Sequence, residues 1–358
     1  MPRSPGERIR NRYVIKEQLG PSGQGEVYVC EDSHEGGVVV VKLLALASLP
    51  PSNTWLEAEA LRQLSDEHIL PIRNADIDAG QPFIVTEMAT HGTLSTQLQA
   101  RGERGLDVDE VVSAIRDACH GVARGHTRRL VHNDLKPENL FLNDQMECLV
   151  GDYGGACLIP AGSTAGVPHV TTPAITAPEI ASAWGTGTAT ASIRSDIYSL
   201  GAAAYWCLAG DRAYVFPNEA EFPERLAIVA AGPPPRLRDR APHVPNYVAT
   251  AIELAMARDP ADRFANIAEF AAALGQRPDV PRRWRRTDEH EGHIACWRGE
   301  PKGGGSTYVT CLEQAASPTK AVVTSVHLSS NRRIGQGCRE VPARQASQTL
   351  RSVFRALK

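Results

Sequence analysis

Residues 130–142 read LVHNDLKPENLFL, and three side chains in this stretch can do chemistry together. Asp134 can accept a proton from a hydroxyl. Lys136 can neutralise charge on a moving phosphoryl group, and Asn139 can offer its amide oxygen to Mg²⁺. Further on, CLVGDYGGA (residues 148–156) sets Asp152 after a strand and before glycines, as a second, charged Mg²⁺ ligand on a flexible hinge. Any one of these carboxylates alone reads as a solvated loop residue. The whole set in this order and spacing does not.

Two earlier stretches fit the same chemistry. In LGPSGQGEVY (residues 19–28) glycines precede a strand, so backbone N–H groups can approach phosphate oxygens, although alone the stretch reads more readily as a hairpin turn. Lys42 ends the apolar run VVVVK. It is either a surface lysine at a strand end or a buried ammonium, and a buried ammonium needs a partner that Glu57 can supply.

The elements that must position these groups are readable from periodicity. YVIKEQLG (residues 13–20), EVYVCED, GVVVVKLLAL and PFIVTEM (residues 82–88) are rich in β-branched residues and read as strands. SNTWLEAEALRQLS (residues 52–65) reads as a helix with Leu56, Ala60 and Leu64 on one face. From about Gly92 the pattern turns helical. DVDEVVSAIRDACHGVARGH (residues 107–126) opens on a capping aspartate, SDIYSLGAAAYWCLAG (residues 195–210) is apolar nearly all round, and VPNYVATAIELAMAR and NIAEFAAALG are two more helices. The Pro-rich residues 232–245 read as a loop.

Taken in order, these stretches resemble the catalytic domain of the bacterial, eukaryotic-like (Hanks-type) serine/threonine protein kinases. The family pattern of Gly-rich loop, strand lysine, helix glutamate, H-R-D-x-x-x-x-N, D-F-G and A-P-E appears as Gly20/Ser22/Gly25, Lys42, Glu57, HNDLKPEN, DYG and APE. The resemblance implies an α+β, bilobal fold over residues 13–275, with a β-rich N-lobe (13–88) carrying the family's αC helix and a mainly helical C-lobe (89–275). It also implies ATP and Mg²⁺ as cofactors, with Mn²⁺ able to substitute, and proteins bearing Ser or Thr acceptors as substrates, the chain itself included. In that frame Asp134 is the base and Lys136 stands beside it. Asn139 and Asp152 hold the metal, and Lys42 pairs with Glu57. The nucleotide meets Leu19, Gly20, Ser22, Gly23, Gly25, Val27, Val40, Lys42, Thr86, Glu87, Met88 and Phe141. Asp196 props the catalytic loop, Glu179 pairs with Arg263, and Leu61, Ile72, His132 and Tyr153 stack.

Three residues depart from the pattern: Ser22 for a glycine, Tyr153 for phenylalanine, and Asn133 where the family has arginine. The first two leave the chemistry intact. Asparagine cannot pair with a phosphate as arginine does, so activity is expected not to depend strongly on a loop phosphate read through position 133. The loop still offers Ser163, Thr164, Thr171, Thr172 and Thr176, with Thr172 aligned to the family's threonine that touches the catalytic aspartate. The competing reading is a pseudokinase that binds nucleotide without transfer.

A chain of 358 residues suggests more than one folding unit, and its net charge of −3 hides an asymmetry. Residues 276–358 hold 15 Lys+Arg against 7 Asp+Glu, a net of +8 on an otherwise acidic chain. Residues 1–12 read as a flexible lead and 276–292 as a linker. Residues 293–358 read as a small basic α+β domain of order β-β-β-α, regulatory or partner-docking, with an anionic partner or nucleic acid as one candidate. His290, His293 and Cys296, with Cys311 and Cys338 beyond, have the residue types of a zinc site. Their spacing is not a standard one and favours unrelated histidines in a linker and cysteines in strands. Eight cysteines without a CxxC argue against a disulfide framework, and neither a signal peptide nor a membrane-spanning run is evident. The expected compartment is a reducing cytoplasm.

Overall fold

The computed structural model describes residues 2–22, 25–44, 64, 66–159, 165–166, 172–276 and 282–357. The N-terminal part is an antiparallel sheet of six strands, β1 (Arg8–Ile9), β2 (Tyr13–Ser22), β3 (Gly25–Asp32), β4 (Val38–Leu44), β5 (Ile72–Asp78) and β6 (Gln81–Glu87), in the order β1-β2-β3-β4-β6-β5. Strand alternation sorts its side chains. Tyr13, Ile15, Tyr28, Cys30, Val39, Val41, Leu43, Phe83 and Val85 form one buried cluster with Ile9. Residues opposite one another across strands share a face. Val27 faces Lys42, Lys42 faces Ile84, and Val40 faces Thr86, so these side chains line the other face.

The lead expected to be flexible is built into this sheet. Ile9 is buried in β1, the Arg3 backbone N–H donates to the Tyr28 hydroxyl at 2.9 Å, and Arg3 pairs with Asp78 at 2.6 Å. The apolar signal at 1–12 was only Ile9, too little to show a strand. The helix expected over 52–65, with Glu57 and Leu61, falls on residues the structure does not describe, apart from buried Leu64.

The C-lobe is helical: α1 (Leu94–Ala100), α2 (Val108–Thr127), α3 (Pro178–Ala183), α4 (Ile193–Ala209), α5 (Phe222–Ala231), α6 (Leu237–Arg240), α7 (Asn246–Ala255) and α8 (Ile267–Gly275). α4 is buried nearly all round, as its alanine-rich apolar sequence requires, and opens on a Ser192/Ser195 capping box. In α2, Asp109 and Glu110 in the first turn and Arg124 and His126 in the last suit the helix dipole. Asp107 takes the N-cap position of α2 but makes no cap bond through its side chain; its carboxylate faces Arg101 at 3.3 Å instead. Short antiparallel pairs join the helices: β7 (Leu130–Val131) with β10 (Cys157–Leu158), β8 (Leu140–Leu142) with β9 (Cys148–Val150), and β11 (Ala165–Gly166) with β12 (Thr190–Ala191).

The C-terminal part is a five-stranded antiparallel meander, β13 (Arg282–Thr287), β14 (His293–Pro301), β15 (Tyr308–Gln314), β16 (Lys320–His327) and β17 (Arg339–Pro342), crossed on one face by α9 (Ala346–Ala356). Five strands replace the three expected, and β13 lies inside the stretch expected as a linker. The reason is physical. In RRWRRT only Trp284 is apolar, so no hydrophobic alternation shows, yet Arg282 is buried as a core residue. Its guanidinium donates to the carbonyls of Leu357, Gly299 and Ser306 at 3.1, 2.8 and 2.6 Å and lies over the Tyr308 ring. Trp284 and Trp297 pack on Phe354 of α9. Ion pairs tie this unit to the C-lobe: Arg283 with Asp109, Arg104 with Asp288, and Arg351 with Asp239.

His243, buried in the loop before α7, is held neutral. Burial, with Arg286 nearby, lowers its pKa from 6.5 to about 4. The unfolded chain therefore binds a proton between those values that the folded chain does not. Folding stability should be fully present above pH 6.5 and fall as pH drops toward 4, by on the order of 3 kcal/mol from this group. Urea unfolding across that range should show the slope, and His243→Gln should flatten it.

Candidate active site

The site is assembled on a loop that one buried carboxylate holds. Asp196, in the first turn of α4, is wholly buried. It accepts the backbone N–H groups of His132 and Asn133, each at 2.9 Å, and faces His126 Nε2 at 2.8 Å. These bonds seat the chain after β7, where Asn133 takes a left-handed conformation at φ 65°. His132 completes the frame. Its Nδ1 accepts the Asp134 N–H at 3.3 Å, and its Nε2–H donates to the Gly151 carbonyl at 3.1 Å, the tautomer that satisfies both contacts.

Asp134 is thereby fixed with both carboxylate oxygens engaged. Oδ1 accepts the Thr172 hydroxyl at 2.8 Å; Oδ2 accepts the Lys136 ammonium at 2.6 Å and the Asn139 amide at 3.1 Å. Lys136 also reaches the Thr172 hydroxyl at 3.3 Å. The Asn139 amide nitrogen donates to the Asp134 carbonyl at 2.7 Å, which sets the amide orientation and turns its oxygen the other way. The expected contact of Thr172 with the aspartate is present.

Asp152 follows β9 in a left-handed conformation and receives the Lys42 ammonium from β4. Burial opposes ionisation of its carboxyl, but Lys42, with smaller contributions from His132 and Lys136, outweighs burial and holds the group below the ordinary carboxylate range. Gly151 is required here because a Cβ would lie 2.8 Å from Phe141 Cε2 and 3.0 Å from Leu70. One carboxylate and one amide oxygen form the hard-donor set that suits Mg²⁺.

Asn133 occupies the position where the family carries a charged arginine. Its amide nitrogen donates to the Gly155 carbonyl and the Cys157 thiol, both at 3.0 Å. The side chain thus ties the catalytic loop to the start of the following loop with neutral bonds. Tyr153 packs on His132 with ring centroids 4.4 Å apart and planes tilted by 48°, and Ile72 packs against the same core. Among the described residues nothing bonds the buried Tyr153 hydroxyl, and burial pushes its pKa far up.

Of the nucleotide-contacting set, Val27, Val40, Lys42 and Thr86 share one sheet face, as their register requires. Leu19 and Met88 are exposed, Phe141 is half-buried, and Glu87 pairs with Arg73 at 2.6 Å. Gly20, at φ 116°, and Ser22 lie in β2, and Gly25 opens β3. Gly23, Glu57, Ser163, Thr164 and Thr171 lie outside the described residues.

The protein kinase domain family matches residues 13–269. The chain belongs to the protein kinase family. Serine/threonine-protein kinase PknK of Mycobacterium tuberculosis is 32% identical over 288 residues, which are 79% of this chain and 25% of PknK. Serine/threonine-protein kinase Pkn1 of Myxococcus xanthus is 31% identical over 273 residues, 73% of this chain and 38% of Pkn1. These relatives place the kinase with the bacterial, eukaryotic-like serine/threonine group, though it spans well under half the length of either. The crystal structure of the M. tuberculosis PknI kinase domain shares the fold at a TM-score of 0.58 and 23% identity, over 77% of this chain and 99% of that one. Among the described residues no helix is long and apolar enough to cross a membrane.

Glu179 of the APE motif meets Arg263 as expected, in a two-pronged pair at 2.8 and 2.6 Å. The other Arg263 donors reach the carbonyls of Ala257, Arg194 and Arg258. Sequence reasoning missed His126 and Cys157. Each meets its partner only through the fold, and no local signal marks either. Arg263→Ala removes a fully buried guanidinium and strands Glu179 and three carbonyls. A loss of about 3–5 kcal/mol is expected in chemical unfolding, with a parallel loss of folded kinase at physiological temperature.

Proposed function

We propose that this kinase transfers the γ-phosphoryl group of ATP to Ser or Thr hydroxyls of proteins, itself among them. The observation that carries the reading is the Asp134 carboxylate, which accepts a threonine hydroxyl on one oxygen and the Lys136 ammonium on the other. An acceptor hydroxyl needs the same bond. As its oxygen attacks the γ-phosphorus, Asp134 takes the proton, the bond to the bridging oxygen breaks, and ADP leaves. Lys136 offsets charge on the phosphoryl oxygens, and Lys42 holds the α- and β-phosphates. Backbone around Gly20, Ser22, Gly23 and Gly25 covers the phosphates. The apolar side chains of Leu19, Val27, Val40 and Phe141 flank the base, with Thr86, Glu87 and Met88 at its edge. Mg²⁺, when held by Asn139 and Asp152, offsets phosphate charge. Glu57 is the further partner of Lys42.

The neutral anchoring by Asn133 supports activity without a loop phosphate at that position. For residues 282–357 the same proposal assigns docking and regulation. Arg283 and Arg351 are engaged by kinase carboxylates, which favours a surface committed to the C-lobe over one open to nucleic acid.

Incubation with Mg²⁺ and γ-labelled ATP tests the reading. Label should enter the wild type and a generic basic protein substrate. Asp134→Asn should keep nucleotide affinity and lose transfer by roughly 10²–10⁴-fold. ATP binding without transfer in the wild type would establish the pseudokinase reading instead.

The combined variant Ser163→Ala, Thr164→Ala, Thr171→Ala should retain most of the wild-type rate. A loss as deep as that of Asp134→Asn would show that a loop phosphate is required.

A further inference from the structure

We propose that the C-terminal sheet holds a structural zinc ion on His290, His293, Cys296 and Cys311. The ligand atoms of these four residues lie within 4.8 Å of one another. Cys296 Sγ stands 3.4 Å from His290 Nδ1 and 3.5 Å from His293 Nδ1, and Cys311 Sγ stands 3.4 Å from His290 Nδ1. In a tetrahedral site with Zn–S of about 2.3 Å and Zn–N of about 2.0–2.1 Å, sulfur and nitrogen sit roughly 3.5 Å apart. The observed edges match that figure.

The fold brings the four together in two steps. Cys296 of β14 and Cys311 of β15 are register partners, so their side chains share a face, opposite the one that packs Trp297 on α9. Both are buried. The turn before β14 then returns over them. Gly292, at φ 80°, and the His293 N–H to the His290 carbonyl at 3.0 Å fold residues 290–293 so that both imidazoles present Nδ1 to the thiols. Glu313, opposite His293 in register, stands 3.8 Å from His293 Nε2.

Three sulfur–nitrogen contacts converge here, and His290 Nδ1 faces two sulfurs at once. One cation satisfies every contact. Two thiols would lose their protons to solvent on binding, so two thiolates and Zn²⁺ form a site of zero net charge, suited to burial. Thiolate and imidazole ligands select zinc among the common divalent ions, and four protein ligands leave no open position, which makes the site structural. Its place is telling. Asp288, two residues before His290, pairs with Arg104 of the C-lobe at 2.8 Å, so the ion would stiffen the turn through which the sheet meets the kinase.

Metal analysis of the full chain, purified with reductant and without chelator, tests the site. Close to one zinc per chain is expected, falling at least tenfold in the double variant Cys296→Ser, Cys311→Ser and unchanged in Cys338→Ser. Because the double variant can misfold, the wild type is also stripped of metal with a chelator and reloaded with Co²⁺. A tetrahedral cobalt–thiolate spectrum and protection of two thiols from alkylation, both reversed by excess zinc in the case of the spectrum and by chelator in the case of the protection, are expected. The proposal is overturned if the zinc-supplemented wild type carries no stoichiometric metal, if zinc content is equal in wild type and double variant, or if Cys296 and Cys311 prove to be joined as a disulfide.

Discussion

The active site depends on a single buried charge. Asp196 sits in α4 with no exposure to solvent, and an unpartnered carboxylate there would be prohibitively costly. Two backbone N–H groups and His126 meet it. Because charge-assisted bonds are short and directional, this meeting fixes the path of the loop that follows. Asp134, Lys136 and Asn139 then inherit their positions from a helix that is itself locked by packing on every side. The chemistry is carried by a loop that hydrogen bonds anchor to the helix beneath it.

A second set of bonds spreads from the same loop. His132 links the Asp134 backbone to Gly151, one residue before Asp152, so the two carboxylates of the site are spaced through one imidazole. Asn133 reaches in the other direction to Gly155 and Cys157. An arginine at this position would bring a charge needing an anion. The asparagine's amide nitrogen needs only a carbonyl and a sulfur, both supplied within the chain. On the proposed reading, these internal bonds stand where the family uses a phosphate-dependent one.

The C-terminal sheet shows how basic residues can serve structure. Arg282 is buried among three carbonyls and a tyrosine ring, and Arg283 and Arg351 face C-lobe carboxylates. Net charge of +8 over residues 276–358 is therefore partly internal wiring rather than an open surface for polyanions. The paired cysteines and the histidine turn lie on the opposite face from the α9 core.

The sequence by itself determined that Asp134, Lys136 and Asn139 read as one set, because the chemistry needs particular side chains at short distances along one loop. Asp134, Lys136 and Asn139 are neighbours in the chain, and α4 showed its burial in its own composition. The pairings Asp196 with the catalytic loop and Glu179 with Arg263 were legible only through family resemblance. Tertiary structure alone decided the rest. The partners of Asn133, the approach of His126 to Asp196, and the convergence of His290 and His293 on Cys296 and Cys311 join residues whose spacing carries no signal. Strand register settles the last of these: pairing β14 with β15 brings together cysteines fifteen residues apart, a fact that spacing read along one dimension does not contain. The linker that became β13 failed for a related reason. A strand whose buried residue is an arginine has no hydrophobic period until the carbonyls that bury it are in place.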